Sequence, residues 1–472
     1  MKEDGKVEAA AVHDIDPFDQ ARNVDGEGHI NYKTMGWIKA GALIMAETIA
    51  LGILSFPLVF HRLGMFGGVF TTVAFALLSW QTGYVLVQFK INHPGVMNFA
   101  DAGHVIAGKY GFWTFGVMLT VKVRHFGYLR FLLLYPYIRA LWRFSLSLSV
   151  ESRAWLSRRR AGSPLIAGRL SYPRTFEKVS YISFVSVTCI LIACFITIVA
   201  TGRQDPEDLP AFNPAEPVRW KAFENHGLVE TINGKHLCSS LTNIIFAYGG
   251  HVAIFSFAAE MHTPADFKYS LALVQIVATI FYIIVGATIY AFGGQYVTSP
   301  ALTMTSKPVR ITAYSIALVS IVISGVVASY IAAKFIFLTL FRKSARLTSN
   351  SYGTWGIWVA ICACIWITGW LIAELIPFFS DLLSIISSIL TVWFTYGLSG
   401  ILWMYDHGPR GPYAADKGGP GFFGGWKAKA GFFTSVFVIV MSAAIMVLGM
   451  YSAITSIAEN YSSGEYGHPF TC

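Results

Sequence analysis

Charged side chains are scarce in this sequence. They make up 13% of its 472 residues, whereas soluble domains carry about 25%. Hydrophobic residues reach 54%, and the mean hydropathy is +0.54. This composition argues against an ordinary soluble fold and predicts a chain that crosses a membrane many times.

Signatures of several other protein classes are missing too. The sequence contains no nucleophile elbow, Walker loop, zinc-ligand triplet or dinucleotide fingerprint, so it does not predict an enzyme, and no cofactor or metal is expected. No cleavable signal peptide is predicted, because residues 1–40 lack a hydrophobic core next to a small-residue cleavage site. The cysteines form neither a disulfide framework nor a tetrahedral metal set. We interpret those inside apolar stretches as packing residues: Cys189, Cys194, Cys362 and Cys364.

The formal net charge of +9 does not indicate a nucleic-acid partner, because much of the surplus falls in loops between apolar stretches. If the N-terminus is cytosolic, the basic loops that contain Arg342, Lys343 and Arg346 and residues 410–429 lie inside, which satisfies the positive-inside rule. The acidic loop of residues 203–235 then lies outside. The expected surrounding is the lipid bilayer.

Apolar stretches of bilayer length recur along the chain, each near the roughly twenty residues that a membrane-spanning helix needs. They define a predicted transmembrane domain of residues 32–457, between a disordered cytosolic tail of residues 1–31 and a C-terminal tail of residues 458–472. The stretches lie at residues 38–60, 63–89, 179–200, 241–259, 270–292, 311–333, 354–373, 382–404 and 431–455.

Residues 121–171 do not fit this pattern. They hold a single acid, Glu151, and no uncharged window of span length. A central arginine costs about 2.5 to 3.5 kcal/mol on insertion scales. We interpret the segment as an error in the predicted coding sequence, such as a retained intron; a basic insertion that binds anionic lipid is the alternative. The basic residues are Lys122, Arg124, Arg130, Arg139, Arg143, Arg153, Arg158, Arg159, Arg160 and Arg169.

Two apolar stretches are interrupted where a plain membrane anchor would continue. Residues 44–57 read IMAETIALGILSFP, and residues 243–264 read NIIFAYGGHVAIFSFAAEMHTP. Glycine and proline inside a span favour a local break, and broken backbone is tolerated in lipid only where protein buries it or where it lines a cavity. For either stretch alone, a kinked helix with a packing glycine is the alternative. Because about five spans separate the two, we expect an inverted repeat, the architecture of many secondary transporters.

At these residues the sequence resembles the amino acid/auxin permease family, and within it the fungal neutral amino acid permeases. The matching segments are YKTMGW at residues 32–37, AETIALGILSFP at residues 46–57, PRTFEKVSYIS at residues 173–183, and FAYGGH and EMHTPADF around the second interruption. The resemblance covers residues 32–120 and 172–451. It implies an all-α polytopic membrane fold of about eleven helices, like the bacterial leucine transporter, with a five-plus-five inverted repeat and broken helices 1 and 6. It also implies secondary transport of amino acids, driven by protons or sodium.

Candidate substrate-binding residues lie at both interruptions. We predict that a substrate carboxylate meets backbone amides near Ala50, Leu51 and Gly52, at the positive end of the half-helix that follows. Carbonyls of the second interruption would accept the substrate ammonium. That interruption contains no Asp or Glu, which favours neutral over cationic substrates. The candidates there are Phe246 and Tyr248, which would shape the side-chain pocket, together with Gly249 and Gly250.

Five further residues are candidates for coupling or gating. Glu47 is the candidate proton carrier, because a carboxylate in an apolar span can exchange a proton as the conformation changes; a structural acceptor is the alternative. His251 could share that proton, or serve as a hydrogen-bonded packing residue. Ser320 and Ser324 could line a cation site, or bond neighbouring helices. Glu260 is expected either to pair across an inner gate or to end its helix in water.

The sequence thus predicts a secondary active transporter that moves neutral amino acids by proton symport and alternating access, with sodium as the less favoured coupling ion. The expected location is the plasma membrane, with the vacuolar membrane as the alternative. Two other functions stay open: a vacuolar amino acid exporter or amino acid sensor of the same fold, and a non-transporting structural membrane protein.

Overall fold

A computed structural model of the chain describes residues 16–22, 30–146, 174–205, 218–222, 235–342, 344–375 and 385–462. Every regular element within these ranges is a helix. In the same ranges, 9 helices are long and apolar enough to cross a membrane, and each coincides with one of the stretches predicted from the sequence. The all-α polytopic architecture is therefore confirmed.

The helices of the first half lead up to the second interruption. A single 3₁₀ turn, Ile53–Ser55, joins α2 to α3. The helices are α1 (Pro17–Arg22), α2 (Trp37–Gly52), α3 (Phe56–Leu63), α4 (Met65–Asn92), α5 (Phe99–Leu146) and α6 (Phe176–Arg203).

The helices of the second half include two irregular stretches. A 3₁₀ segment, Gly249–Ala253, separates α7 from α8, and the π-helical segments Ser387–Thr391 and Trp393–Gly397 precede α12. The helices are α7 (Lys235–Ala247), α8 (Ile254–Ala259), α9 (Phe267–Gly293), α10 (Lys307–Phe341), α11 (Tyr352–Leu375), α12 (Leu398–His407) and α13 (Trp426–Ser462).

The interrupted spans form the centre of the bundle. Of the 18 consecutive residues with the highest hydropathy in each span, 81% are buried in Trp37–Leu63 and 83% in Leu237–Ala259. The corresponding share is 28% in Trp426–Thr455. Helix α10 and the π-helical span are also mostly buried. Large apolar side chains face outward on the remaining spans, as expected where lipid replaces protein: Phe70, Phe195, Phe433 and Val440.

The two interrupted spans run in opposite directions. Met35, just before α2, bridges Met261, just after α8, and the Met35 N–H donates to the Glu260 carbonyl at 3.2 Å. The start of one interrupted span therefore meets the end of the other, as an inverted repeat requires. We call this end of the bundle, where Glu260 lies, the Glu260 end.

Helix α5 enters the predicted basic segment. Its backbone turns at Gly108, whose positive φ of 59° is a conformation that favours glycine, and the helix then continues to Leu146. It packs against α10, where a Cβ on Gly116 would lie 3.0 Å from the Phe335 ring. The rest of the basic segment, residues 147–171, lies outside the described residues, so its proposed origin stays a hypothesis.

Residues 16–22 of the predicted N-terminal tail lie among the described residues, and disorder across residues 1–31 stays a prediction. Residues 16–22 include α1 and pack on the Glu260 end of the bundle. Phe18 is an apolar anchor that stacks on the Tyr32 ring at 4.5 Å, and Asp16 pairs with Lys33 at 3.1 Å and Lys90 at 3.7 Å. A buried aromatic side chain and a buried carboxylate together hold this short segment, although its surroundings in the sequence are polar.

Candidate functional site

The first interruption is a change of helix type. Pro57 has no N–H for the carbonyl of Ile53, four residues earlier, and the Phe56 N–H bonds that carbonyl instead. The Ser55 hydroxyl donates to the Gly52 carbonyl at 2.8 Å. The backbone at Gly52 stays helical, with φ −59° and ψ −35°. Proline thus produces a 3₁₀ turn and no extended backbone.

The predicted carboxylate-binding residues lie just before this turn. Ala50, Leu51 and Gly52 form the end of α2, and N–H groups inside a helix bond the carbonyls four residues back. Their binding role stays a prediction. Gly52 has a structural use as well, because a Cβ there would lie 2.7 Å from the Cβ of Ala247. The two interrupted spans touch at this glycine.

The second interruption departs from helical geometry and packs on neighbouring helices. Helix α7 ends at Ala247, and Tyr248 leaves the helical region with φ −90° and ψ 8°. The Tyr248 hydroxyl lies 3.0 Å from Thr279 Oγ1 and donates to the Thr72 carbonyl at 3.3 Å. Phe246 is half-buried on the last turn of α7. A Cβ on Gly250 would lie 2.7 Å from the Thr48 methyl, so the second interruption packs directly on α2.

Tyr282 of α9 connects the two interruptions. Its hydroxyl lies 3.0 Å from the Thr48 carbonyl of α2 and 2.9 Å from the Ala247 carbonyl, where α7 ends. Its ring stacks on Phe56 at 4.3 Å. Sequence analysis missed this residue, and the available signal was a tyrosine in the middle of an apolar span, whose hydroxyl needs a partner when buried.

A cationic side chain also reaches the second interruption. Lys122 of α5 is fully buried, and its Nζ donates to the Gly249 carbonyl at 3.2 Å. The ammonium lies 5.3 Å from the centroid of the Phe394 ring and interacts electrostatically with Glu47, which is 5% exposed. The predicted coupling carboxylate and a lysine from the basic segment therefore belong to one site.

His251 makes three polar contacts. Its Nε2 lies 2.9 Å from the Ser79 carbonyl and 3.2 Å from Thr82 Oγ1, and its Nδ1 lies 3.3 Å from the Tyr248 carbonyl. A neutral imidazole donates through one nitrogen only, whereas a protonated ring donates through both. Both ring nitrogens thus lie next to carbonyl oxygens, and a share in the coupling proton stays a prediction.

The π-helical segments form a third irregular wall that sequence analysis missed. A Cβ on Gly249 would lie 2.7 Å from the Thr391 methyl, which places this wall against the second interruption. π-Helical turns occur frequently at functional sites. Among the described residues, buried hydroxyls on this wall have no hydrogen-bond partner: Ser387, Thr391 and Thr395. In the sequence, the spacing of four residues between these hydroxyls could have indicated a polar face on this span.

The candidate cation-site serines differ in their surroundings. The Ser320 hydroxyl lies 2.9 Å from that of Ser186 on α6, which is a bond between neighbouring helices. The Ser324 hydroxyl is buried and has no hydrogen-bond partner in the part of the chain that the structure describes. A sodium site here stays a prediction. Within the described ranges, no three His, Cys, Asp or Glu side chains come together as metal ligands would.

Glu260 lies in a buried ion pair. Its carboxylate contacts the Lys334 ammonium and accepts the Phe176 N–H at 2.7 Å. Aromatic rings surround Lys334, with the centroids of Phe18 and Tyr32 both 4.7 Å from its Nζ. The sequence allowed either a pair across an inner gate or a helix end in water. Glu260 is fully buried and paired, so the structure agrees with the first arrangement. A gating role stays a prediction.

An inner pair of antiparallel interrupted spans, enclosed by lipid-facing helices, is the architecture of a class of alternating-access membrane transporters. The family model described as transmembrane amino acid transporter protein matches residues 33–455, and the chain belongs to this family. The predicted family is confirmed, and so is the expectation of a transporter rather than an enzyme, since the family and the relatives below are transporters.

Relatives of known name agree with this assignment. The "N amino acid transport system protein" of Neurospora crassa is 28% identical over 459 residues, covering 94% of this chain and 90% of the relative. The "Vacuolar amino acid transporter 4" of Saccharomyces cerevisiae is 26% identical over 286 residues, covering 59% of this chain and 38% of the relative. The crystal structure of MhsT in complex with L-phenylalanine matches with a TM-score of 0.54 at 12% identity, covering 91% of this chain and 100% of that one, and shows a shared fold.

Proposed function

We propose that this protein is a secondary active transporter that moves neutral amino acids by proton symport. The observation that carries the proposal is the contact of both interrupted spans with Tyr282, whose hydroxyl binds a carbonyl from each. A substrate bound there would touch both halves of an inverted repeat. Alternating access requires such a site, because the halves move relative to each other around it.

The polar groups at the second interruption support a neutral substrate. Residues 246–250 supply backbone carbonyls and no carboxylate, and Lys122 Nζ donates to the Gly249 carbonyl at 3.2 Å. A substrate with a cationic side chain would meet like charge in a site of low dielectric. A zwitterion can offer its ammonium to the carbonyls and its carboxylate to the first interruption.

Proton coupling is assigned to Glu47 and His251. Glu47 lies on the turn of α2 that packs against the second interruption, and His251 lies in the 3₁₀ segment of that interruption. Proton exchange at either group would change the electrostatics next to the substrate site. Sodium, held near Ser320 and Ser324, is the alternative coupling ion.

The plasma membrane, with a cytosolic N-terminus, is the proposed location. Basic loops on the side of the N-terminus support this orientation. The similarity to a yeast protein named as a vacuolar amino acid transporter favours a second candidate, an exporter or amino acid sensor of the vacuolar membrane.

Uptake of labelled L-alanine, L-leucine and L-arginine into transporter-deficient yeast tests the proposal, with and without a protonophore. The expected result is uptake of the two neutral amino acids that the protonophore abolishes and that sodium does not alter. Release of labelled amino acid from preloaded isolated vacuoles, without uptake at the cell surface, would support the second candidate as an exporter. Absence of transport in both, by a correctly folded chain, would contradict the proposal and favour a structural role.

A further inference from the structure

The Gly249 carbonyl at the second interruption is already bound to a cation. Lys122 Nζ donates to it at 3.2 Å, and this lysine is fully buried. A lysine side chain ends in a primary ammonium, the same chemical group as the amino end of a zwitterionic ligand. One carbonyl thus faces two candidate donors, one of them covalently attached to the protein.

The surroundings of this carbonyl fit a polar ligand. The Thr391 methyl packs on Gly249, and the Thr391 hydroxyl is buried without a hydrogen-bond partner among the described residues, as is the hydroxyl of Thr395 one turn later. Buried polar groups are nearly always bonded in folded proteins. Unused acceptors beside a carbonyl that binds a cation indicate a site that takes additional N–H donors.

Lys122 also has a second partner to which it can turn. Its ammonium interacts electrostatically with the Glu47 carboxylate, on the α2 turn next to the second interruption. A lysine side chain has four rotatable carbon–carbon bonds, and its ammonium can move without displacing the backbone. Release of the Gly249 carbonyl therefore leaves Lys122 Nζ within electrostatic reach of Glu47.

We propose that Lys122 is a tethered competitor for the amine-binding carbonyl of the second interruption, so that a ligand ammonium binds Gly249 only after Lys122 Nζ has turned away. The competitor lowers the affinity for every amine ligand, and it disfavours a second cationic group on the ligand by charge repulsion. For amino acids this selectivity rests on the proposed function, whereas for a simple amine it does not.

The test uses the full chain in lipid nanodiscs and an amine that is not an amino acid. Thermal unfolding is measured in increasing methylammonium chloride for the wild type, for Lys122→Met, and for the matched control Lys109→Met on the same helix, where Lys109 is exposed. Tetramethylammonium chloride, which has no N–H to donate, controls for ionic strength. Because the side chain of Lys122→Met cannot donate to the Gly249 carbonyl, methylammonium should bind this variant about tenfold more tightly than the wild type.

Two outcomes would overturn the proposal. One is an equal response to methylammonium in Lys122→Met and Lys109→Met. The other is a failure of both Lys122→Met and Lys122→Gln to fold while Lys109→Met folds, because Lys122 would then be a structural requirement rather than a displaceable occupant. Neither readout depends on amino acid transport, so a negative uptake assay and a negative methylammonium titration are separate results.

Discussion

Gly52 of α2 and Ala247 of α7 hold the two interrupted spans in direct contact. A Cβ on Gly52 would lie 2.7 Å from the Ala247 Cβ and 2.8 Å from its Cα. The second atom belongs to the backbone, so a flexible side chain cannot absorb the clash. The distance between the halves of the candidate site is therefore set by the absence of one methyl group.

Gly52→Ala should push the two spans apart. Overpacking of this kind costs about 1 to 3 kcal/mol of unfolding free energy, and uptake should fall because both halves of the site shift. Gly356→Ala is the matched control, since this glycine in α11 has no atom within 4 Å of its Cβ position. Thermal unfolding and uptake of both variants are the measurements. A Gly52→Ala protein as stable and active as Gly356→Ala would contradict the contact.

Tyr282→Phe removes the hydroxyl and keeps the ring, so this variant tests the contribution of the hydroxyl alone. The stack on Phe56 at 4.3 Å is kept, while the Ala247 carbonyl loses its donor at 2.9 Å. We expect a loss of about 1 to 3 kcal/mol in stability, as for a buried group left without its bond, and weaker substrate binding. Tyr269→Phe, in the exposed part of the same helix, is the control. The assignment of Tyr282 to the site is wrong if substrate affinity is the same in both variants.

The membrane spans could be predicted because hydropathy and length are local properties. A run without charges that reaches about twenty residues must cross the bilayer whatever its neighbours are. The geometry of the first interruption also follows from the local sequence, because Pro57 lacks the N–H that would bond the Ile53 carbonyl in an α-helix. Ala50, Leu51 and Gly52 belong to the helix just before the 3₁₀ turn, and their role in binding a carboxylate stays a prediction.

The contacts that complete the site could not be predicted, because they join residues far apart in the chain. Nothing near Tyr282 indicates that its hydroxyl bonds Thr48, and Lys122 looked like one of many basic residues in an atypical segment. The π-helical wall was hidden for a similar reason. Only the packing of Thr391 against Gly249 in the structure indicates that Thr391 belongs to the site.

The contributions of Glu260 and Lys334 to the free energy of unfolding should be strongly coupled. Removing one partner of a buried ion pair leaves an uncompensated charge and costs about 3 to 5 kcal/mol, whereas removing both can be nearly neutral. Glu260→Gln and Lys334→Met should therefore each destabilise the protein, and the double variant should recover much of the loss. Thermal unfolding of the four proteins completes the cycle. Additive losses would show that the two side chains act independently.

Opening of the Glu260 end should accompany the loss of this ion pair. The Phe18 ring lies 4.7 Å from Lys334 Nζ, so α1 covers the pair and should dissociate more readily without it. Labelling of a cysteine introduced at the buried Ala259, next to Glu260, in a background without the native cysteines, should be faster in the double variant than in the parent. Equal labelling rates would exclude a role for the pair in keeping this end closed.

Glu47→Gln should uncouple transport from protons. Glutamine keeps the size and an acceptor oxygen of the side chain but cannot exchange a proton in the membrane, so uptake should no longer rise as the external pH falls. Glu177→Gln is the matched control, because Glu177 forms a partly exposed ion pair with Lys39 at 2.6 Å, and surface pairs contribute little. Uptake is measured at several external pH values with the protein amount held equal. Full proton-dependent uptake by Glu47→Gln would contradict the coupling role of Glu47 and leave His251 as the remaining candidate.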